Sequence, residues 1–411
     1  MNPVDIQDTA CPGPRISRRG ALLGLGAVFA LGGTRLAFAQ APAAGESRFV
    51  VVLLRGGLDG LAAVQPYGDP AFAALRGPLA LPQPGGQGGT LDLGGRFGLH
   101  PAMGGLHGLY RANQALVVHA VAGPYRSRSH FDAQDMLESG ATERLSSGWL
   151  NRALNGLPGA ARGQAGLAVG LDVPLLMKGP ATVRNYAPTG PSLVNDDLMA
   201  RIEGLLARDP AFGPAVQRGQ AERRFTAAAL QGEGPESMGG RRGGGFAALA
   251  GAAGRIMAAP GGPRIAALES GGFDTHAGQV ARLTPALTGL DTGLTALRQG
   301  LGEAAWARTA VLVVTEFGRT ARVNGTAGTD HGTGGVAFVV GGAVAGGQVR
   351  TDWPGLGQGR LFEDRDLMPT TDLRAVAKGL LRDHLRLPPP AVDAAFPGSG
   401  SVAAEGRLVR A

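Results

Sequence analysis

Cysteine is almost absent from this chain. Its 411 residues include a single cysteine, Cys11, close to the N-terminus. Cys11 falls inside a segment that we interpret below as an export signal, so the mature chain is expected to contain no cysteine. Disulfide bonds and thiolate metal ligands are then excluded, and no cysteine remains to carry a lipid.

Charged and aromatic side chains are also sparse. Charged residues make up 17% and aromatic residues 5% of the chain, while hydrophobic residues make up 44%. The net charge is +7, but the basic residues are scattered, with short clusters at Arg223–Arg224 and Arg241–Arg242. Because no basic stripe is interleaved with aromatic residues, no nucleic-acid partner is expected. The composition predicts a globular chain that buries a substantial core.

A hydrophobic run long enough to span a membrane is missing as well. The N-terminal run, about residues 21–31, is short and rich in glycine. It follows Arg18–Arg19 and precedes Ala37-Phe38-Ala39, the pattern of a twin-arginine signal with a cleavage site. We expect the twin-arginine export machinery to recognise residues 1–39, and cleavage to leave a periplasmic or secreted protein without a stable membrane span. A retained N-terminal anchor is the alternative.

Short apolar runs bounded by turn residues predict buried strands. The clearest lie at Phe49–Leu54, Ala115–Val121, Arg264–Ser270, Thr309–Phe317 and Val336–Gly342, with a weaker one near residues 165–170. Helical patterns lie between them, for example the apolar residues at 283, 287, 290, 294, 297 and 301. This alternation predicts an α/β fold, a doubly wound and mostly parallel sheet with helices on both faces. Residues 40–411 are expected to form a single domain, with a helical and loop insertion or cap at about 172–263.

Reactive side chains follow four of these strands, at the edge where an open α/β sheet binds ligands. They are Asp59 after the first strand, Ser127, Ser129 and His130 after the second, Asp274 and His276 after the third, and Glu316, Asp330 and His331 at or after the fourth. Nitrogen and oxygen ligands of this kind suit zinc, manganese or a similar divalent cation. Two metal ions need about six or seven protein ligands, a number that this set can supply.

Ser129 has two interpretations. It precedes a helical pattern with Asp132 three residues later, which is the arrangement of a capping box. The same position binds anions, since free backbone N–H groups and the helix dipole point there, so Ser129 is also the candidate nucleophile. Arg128 is the candidate for binding an anionic substrate. His130 is interpreted as an accessory or packed residue, and the histidines at 100, 107, 119 and 384 as structural.

Five motifs, in this order, resemble the bacterial domain of unknown function 1501 family: LLRGGLDG, RSRSHFDAQD, GGFDTHAGQ, VTEFGRT and GTDHGTGG. The resemblance covers nearly all of the mature chain. That family is placed in the alkaline phosphatase–sulfatase superfamily, whose members carry a metal pair and a Ser, Thr or modified Cys nucleophile. The resemblance therefore implies an alkaline phosphatase-like fold, whereas a reaction is implied only by the wider superfamily.

The resemblance also implies roles for single residues. The implied metal ligands are Asp59, Asp274, His276, Glu316, Asp330 and His331, and the implied nucleophile is Ser129, with Ser127 as the competing choice. Glu316 stands where the superfamily has the Asp of an Asp–His pair. Phe317 then takes the place of the histidine, which removes one expected ligand. His331 is the residue expected to compensate, with Asp330 as a ligand or as its orienting partner.

These observations predict an exported, metal-dependent hydrolase that acts on a small anionic substrate, a phosphate or sulfate ester. Ser129 would attack the ester and Arg128 would stabilise its equatorial oxygens. The expected cofactor is a divalent metal, zinc first, with manganese, calcium or magnesium as alternatives. No Cys-x-Pro-x-Arg or Gly-x-Ser-x-Gly motif is present, which argues against a formylglycine sulfatase and a metal-independent serine hydrolase. The alternative function is a non-catalytic periplasmic binding or assembly protein that retains the fold.

Overall fold

The structure is a computed structural model that describes residues 47–157, 166–187, 201, 204–206, 209–210, 213–230 and 245–410. The twin-arginine signal predicted at residues 1–39 lies outside these ranges and stays a prediction. Within them, no helix combines the length and the apolar character that a membrane span requires.

The strands of the described residues are β1 (Arg48–Leu54), β2 (Val64–Gln65), β3 (Leu91–Asp92), β4 (Gly98–Leu99), β5 (Ala115–Ala122), β6 (Gly166–Val169), β7 (Val183–Tyr186), β8 (Ile265–Ser270), β9 (Thr309–Thr315), β10 (Gly335–Val340), β11 (Gln348–Arg350) and β12 (Thr371–Asp372). All six strand predictions are confirmed. Nine strands form one sheet in the order β11-β5-β10-β9-β1-β8-β6-β7, with β12 beside β5. A small second sheet has the order β2-β4-β3.

The large sheet is mostly parallel, as the sequence predicts. Strand β1 lies between β8 and β9 and is parallel to both, and β6 and β7 continue this arrangement. Strands β11 and β12 run parallel to β5. The exception is β10, which is antiparallel to its neighbours β5 and β9. The start of β10 therefore lies at the edge where its neighbours end.

Both faces of the sheet are buried, which explains why β1 is a continuous apolar run and not an alternating one. Its residues point alternately into two cores, Val50, Val52 and Leu54 into one and Phe49, Val51 and Leu53 into the other, with no side chain more than 1% exposed. Full burial of an aliphatic or aromatic side chain contributes about 1.5–3 kcal/mol, so this strand anchors the fold.

The α-helices of the described residues are α1 (Gly60–Ala63), α2 (Phe72–Arg76), α3 (Gly104–Arg111), α4 (His130–Ser139), α5 (Trp149–Asn155), α6 (Gly213–Ala229), α7 (Phe246–Ala258), α8 (Gln279–Trp306), α9 (Leu373–Asp383) and α10 (Pro389–Ala395). Helices α3, α7 and α8 contribute to one core, and α5, α9 and α10 to the other. Helices therefore cover both faces, as predicted. The six apolar positions of α8 that predicted its buried face are all at most 4% exposed.

Two elements inside the segment predicted as an insertion, about 172–263, pack with the main domain. Strand β7 extends the large sheet beside β6. Helix α7 buries Ala253, Ile256 and Met257 in the same core as α8. The bounds of the insertion stay a prediction, since much of residues 188–244 lies outside the described ranges.

Candidate metal centre

The loops that carry the candidate ligands leave the sheet at one level. Leu54, the last residue of β1, is paired with Ser270 at the end of β8 and with Thr315 at the end of β9. The antiparallel strand β10 starts at Gly335, which is paired with Val121 near the end of β5. The loops that follow β1, β5 and β8 and both ends of the loop between β9 and β10 therefore meet at a single edge of the sheet.

Three imidazoles face one carboxylate oxygen at this edge. The distances from Oδ1 of Asp274 to the Nε2 atoms are 3.1 Å for His276, 3.4 Å for His331 and 3.6 Å for His130. Among the described residues, the ligand atoms of His130, Asp274 and His331 lie within 4.8 Å of one another. His276 adjoins this group, because its Nε2 is also 2.9 Å from Nε2 of His331.

The Nδ1 atom of each imidazole lies against an oxygen that can only accept a hydrogen bond. The acceptors are a carboxylate oxygen of Glu316 at 2.8 Å for His130, a carboxylate oxygen of Asp330 at 3.0 Å for His276, and the backbone carbonyl of Arg128 at 2.8 Å for His331. Nδ1 must therefore carry the hydrogen in each ring. This arrangement leaves the Nε2 lone pairs directed at Asp274, which is how metal-binding histidines are held.

The residues fit a divalent cation by a further test. Nε2 of His130 is buried and has no hydrogen-bond partner in the described part of the chain. A buried polar atom without a partner costs free energy unless something else binds it. Two imidazole lone pairs facing each other across 2.9 Å, as in His276 and His331, likewise require a proton or a cation between them. Three imidazoles and one carboxylate are a ligand set that zinc accepts.

Asp274 is ionised in this setting. Partial burial raises the pKa of its carboxyl group, the hydrogen bond and charge of the buried guanidinium of Arg319 lower it, and the net pKa lies below its usual range. Burial lowers the pKa of His331, the hydrogen bond to the carbonyl of Arg128 opposes this, and the positive charge of Arg319 lowers the pKa further. The site therefore combines an anionic carboxylate with a neutral imidazole at neutral pH, which are the protonation states that metal ligands need.

Glu316 reaches the site, but it lies behind His130. Its Oε1 atom also accepts hydrogen bonds from the backbone N–H of Gly56 at 2.9 Å and from the side chain of Gln134 at 3.1 Å. Burial raises the pKa of Glu316, whereas hydrogen bonds from its own backbone N–H, from His130, from Gln134 and from Gly56 lower it to below the usual range. With three donors on Oε1, Glu316 is placed to orient His130, and the ligand role that the sequence implied stays a prediction.

Asp330 contacts a histidine of the site in the same way that Glu316 contacts His130. The sequence made it a ligand or the orienting partner of His331, but the structure pairs it with His276. The hydrogen bond from His276 lowers the pKa of Asp330, and a second one from Asn324 acts in the same direction. His331 is oriented instead by the backbone of Arg128.

Phe317 fills the position for which a histidine was expected. Its ring is 94% buried, and its centroid lies 4.8 Å from that of His130 and 4.9 Å from that of His331. An apolar ring between two imidazoles restricts their rotation and supplies no ligand. His130, which sequence reasoning treated as accessory, supplies an additional imidazole here. The signal for it was its position directly after Ser129, at the same sheet edge.

Asp59 lies in a different environment from the other predicted ligands. It is 1% exposed and forms a buried ion pair with Arg76, and its carboxylate also accepts a hydrogen bond from Gln279 at 2.6 Å. Its Oδ1 accepts the backbone N–H of Ala62 and caps α1. No described contact joins Asp59 to His130, and its oxygens are already occupied, so a metal role for Asp59 gains no support.

The two predicted catalytic residues directly precede His130 in the chain. Ser129 is the N-cap residue of α4, but its side chain makes no capping hydrogen bond, and Asp132 instead accepts from Tyr125, so no capping box forms. The guanidinium of Arg128 is bound by Asp366 and Glu363. These bonds engage Nε and Nη2 of the guanidinium, and the role of Arg128 in binding substrate oxygens stays a prediction.

Solved structures with a similar fold give only distant matches. They include a protein in the alkaline phosphatase superfamily from Vibrio parahaemolyticus (12% identity, TM-score 0.33, covering 72% of this chain and 60% of that one). Two others are the lipoteichoic acid synthase LtaP from Listeria monocytogenes (10%, 0.37, 76% and 68%) and the C-terminal periplasmic domain of EcEptC from Escherichia coli in complex with Zn (9%, 0.36, 73% and 74%). Similarity at this level carries no functional inference for the present chain.

A comparison with curated proteins gives no match. A family model does match, over residues 91–395, and this range includes every residue of the histidine cluster and the loops that orient it. The chain belongs to the family described as "Protein of unknown function (DUF1501)".

Proposed function

We propose that this protein is an exported, metal-dependent hydrolase that acts on phosphate or sulfate esters. The observation that carries the proposal is the arrangement around Asp274, where the Nε2 atoms of three histidines lie within 3.1–3.6 Å of Oδ1. Each ring is held at Nδ1 by an oxygen, so the lone pairs are oriented before any cation binds.

The nitrogen and oxygen donors suit zinc, with manganese as the next choice. A bound divalent cation lowers the pKa of a hydroxyl or water and compensates the charge of an ester oxygen. The protein supplies the remaining parts. Glu316 and Asp330 hold His130 and His276 in position. Phe317 keeps one side of the imidazoles dry.

Ser129 is the nucleophile of this proposal. It directly precedes His130 at the N-terminus of α4, and its hydroxyl is not used for capping. The free N–H groups of the first turn of α4 provide donors for anionic oxygens of an ester. In the reaction, the Ser129 hydroxyl loses its proton to solvent and its oxygen bonds to phosphorus or sulfur, while the bond from that atom to the ester oxygen breaks. The ester oxygen takes up a proton from solvent and leaves as an alcohol. Water then hydrolyses the intermediate, which releases phosphate or sulfate and restores the Ser129 hydroxyl.

The experiment is elemental analysis of the purified protein together with a panel of aryl and alkyl phosphate and sulfate esters. We expect a bound divalent metal and turnover of at least one ester class. Ser129→Ala should lower kcat by at least about 10³-fold with the metal retained, whereas Ser127→Ala, at an exposed position two residues away, should retain activity. Equal activity of both variants would contradict the assignment of Ser129.

Export is part of the proposal and rests on the pattern of residues 1–39 alone. Fusion of this segment to a reporter that folds before export should send the reporter to the periplasm. Replacement of Arg18–Arg19 by Lys-Lys should retain the reporter in the cytoplasm.

The second candidate is a non-catalytic periplasmic binding or assembly protein. Two observations favour it. Phe317 stands at the position of an expected metal ligand, and the guanidinium of Arg128 is paired with Asp366. This candidate predicts a metal-containing protein that turns over no ester in the panel.

A further inference from the structure

Asp366 is a fully buried carboxylate that the proposed reaction does not use. It is 0% exposed and lies on the segment between β11 and β12. Its Oδ2 atom accepts hydrogen bonds from two nitrogens of Arg128, at 3.0 Å and 2.7 Å, and from the hydroxyl of Thr333 at 2.9 Å. Its Oδ1 atom accepts a hydrogen bond from Arg365 at 3.2 Å.

The two main partners of Asp366 belong to the two loops that meet at the metal centre. Arg128 directly precedes Ser129, and Thr333 comes two residues after His331. These loops are also joined to each other, because Nδ1 of His331 donates to the carbonyl oxygen of Arg128 at 2.8 Å. Asp366 therefore binds side chains on both of the loops that this hydrogen bond joins, and the hydrogen bond decides which nitrogen of His331 faces Asp274.

We propose that Asp366 is a positioning residue of the metal centre, which acts by holding the Arg128 carbonyl against Nδ1 of His331. The backbone around Asp366 is itself anchored, because the residue forms an antiparallel bridge with Thr320, and the N–H of Gly334 donates to the carbonyl of Leu367 at 3.1 Å. A backbone that is held in place in this way suits a residue that orients a metal ligand through a neighbouring group. The inference rests on the metal site of the proposed function and not on ester hydrolysis.

The chain offers a matched control. Arg128 has a second acidic partner, Glu363, whose side chain is 56% exposed and contacts the same Nη2 atom at 2.5 Å. Asp366→Asn and Glu363→Gln each remove one negative charge next to the guanidinium of Arg128. Only the first also weakens the bond to Thr333, and only the first lies in the buried connection to His331. A general electrostatic effect on Arg128 would make the two variants alike.

The test is a titration of the metal-free protein with Co²⁺, in which the visible d–d absorption of the bound ion is recorded. Its intensity gives the affinity, and its shape reports the coordination geometry. Removal of a group that orients a ligand histidine typically lowers metal affinity by about 10- to 100-fold. We expect that loss and an altered d–d spectrum for Asp366→Asn, with wild-type affinity and spectrum for Glu363→Gln. Arg128→Ala should resemble Asp366→Asn, and the double variant should lose no more than either single one, since both act through one connection.

A purely structural role for Asp366 would give lower thermal stability with an unchanged Co²⁺ affinity and spectrum below the melting temperature, and that result would overturn the proposal. If Asp366→Asn does not fold, Thr333→Val and Arg128→Ala carry the test, and wild-type Co²⁺ binding in both would overturn it. Absence of Co²⁺ binding by the wild-type protein would overturn this inference and the metal centre together. Normal metal behaviour without ester turnover would overturn only the hydrolase proposal.

Discussion

Nδ1 of His130 lies 2.8 Å from Oε1 of Glu316, and this contact decides which nitrogen of His130 faces Asp274. A carboxylate can only accept, so Nδ1 carries the hydrogen and Nε2 presents its lone pair. The sequence put Glu316 and His130 in the opposite relation, with the carboxylate as the ligand and the imidazole as an accessory.

Glu316→Gln tests this relation. The amide nitrogen of glutamine can donate to Nδ1 of His130, which would move the hydrogen to Nε2 and remove the lone pair from the site. We expect a loss of zinc affinity of about 10- to 100-fold, measured by competition with a chelating dye. Gln134→Ala is the control, because it removes another hydrogen bond from the same Glu316 oxygen and leaves the hydrogen on Nδ1. Equal effects of the two variants would contradict the relation.

Asp59→Asn is expected to impair folding stability and spare the metal centre. The substitution leaves the guanidinium of Arg76, which is 0% exposed, without its buried counter-ion, and such a loss costs about 3–5 kcal/mol. Denaturant unfolding in EDTA measures this cost free of any contribution from bound metal. Glu303→Gln, in the exposed ion pair with Arg298, should change the free energy of unfolding by less than about 0.5 kcal/mol.

Metal content separates the two interpretations of Asp59. As a structural partner of Arg76, Asp59→Asn should retain the wild-type ratio of zinc to protein in the folded fraction. Loss of zinc from a variant that is still folded would restore Asp59 as a ligand.

The places of the strands were predictable, and the direction of one was not. Burial on both faces of a parallel sheet selects continuous apolar runs, so β1 and β9 could be predicted from their apolar runs alone. The apolar run of β10 reads the same in either direction along the sheet. Its antiparallel course depends on the long loop that follows β9, and that course is what brings His331 to the start of a strand and back to the site.

The edge of the sheet that carries the site was also predictable, but the role of each residue at that edge was not. Asp274, His276 and His331 were named from the ends of strands, and they do converge. The counter-ion of Asp59 is Arg76, and no local pattern links that turn to a helix 17 residues away. Which of two neighbouring groups binds a cation and which orients its neighbour depends on distances of a few tenths of an ångström, and a motif does not contain them.

The buried imidazole of His119 is expected to make the free energy of unfolding depend on pH. It lies in β5, and complete burial lowers the pKa of its imidazole from 6.5 to about 4. The backbone N–H of Ala120 donates to its Nδ1, a contact that requires the neutral ring. Its Nε2–H donates to the carbonyl of Val64, which either form of the ring can do. Since the folded pKa is the lower one, the contribution is complete above pH 6.5 and is lost as the pH falls toward 4.

His119→Gln should therefore have a flatter stability profile than the wild type. Between pH 7.5 and 5, the free energy of unfolding of the wild type should fall by about 2 kcal/mol more than that of the variant. Urea unfolding in EDTA at the two pH values measures the difference. His107→Gln, at a half-buried position on α3, serves as the control and should follow the wild-type profile. Parallel profiles of His119→Gln and the wild type would contradict the neutral buried state.

The central claim is that His130, Asp274 and His331 hold one divalent cation, with His276 adjoining them. X-ray absorption spectroscopy of the zinc-loaded protein at the zinc edge tests it most directly. The account predicts a first shell of nitrogen and oxygen at about 2.0–2.1 Å with the outer-shell scattering of two or three imidazoles. His130→Ala should lose one imidazole from that pattern. A zinc shell without imidazole scattering, or one that His130→Ala leaves unchanged, would contradict the account.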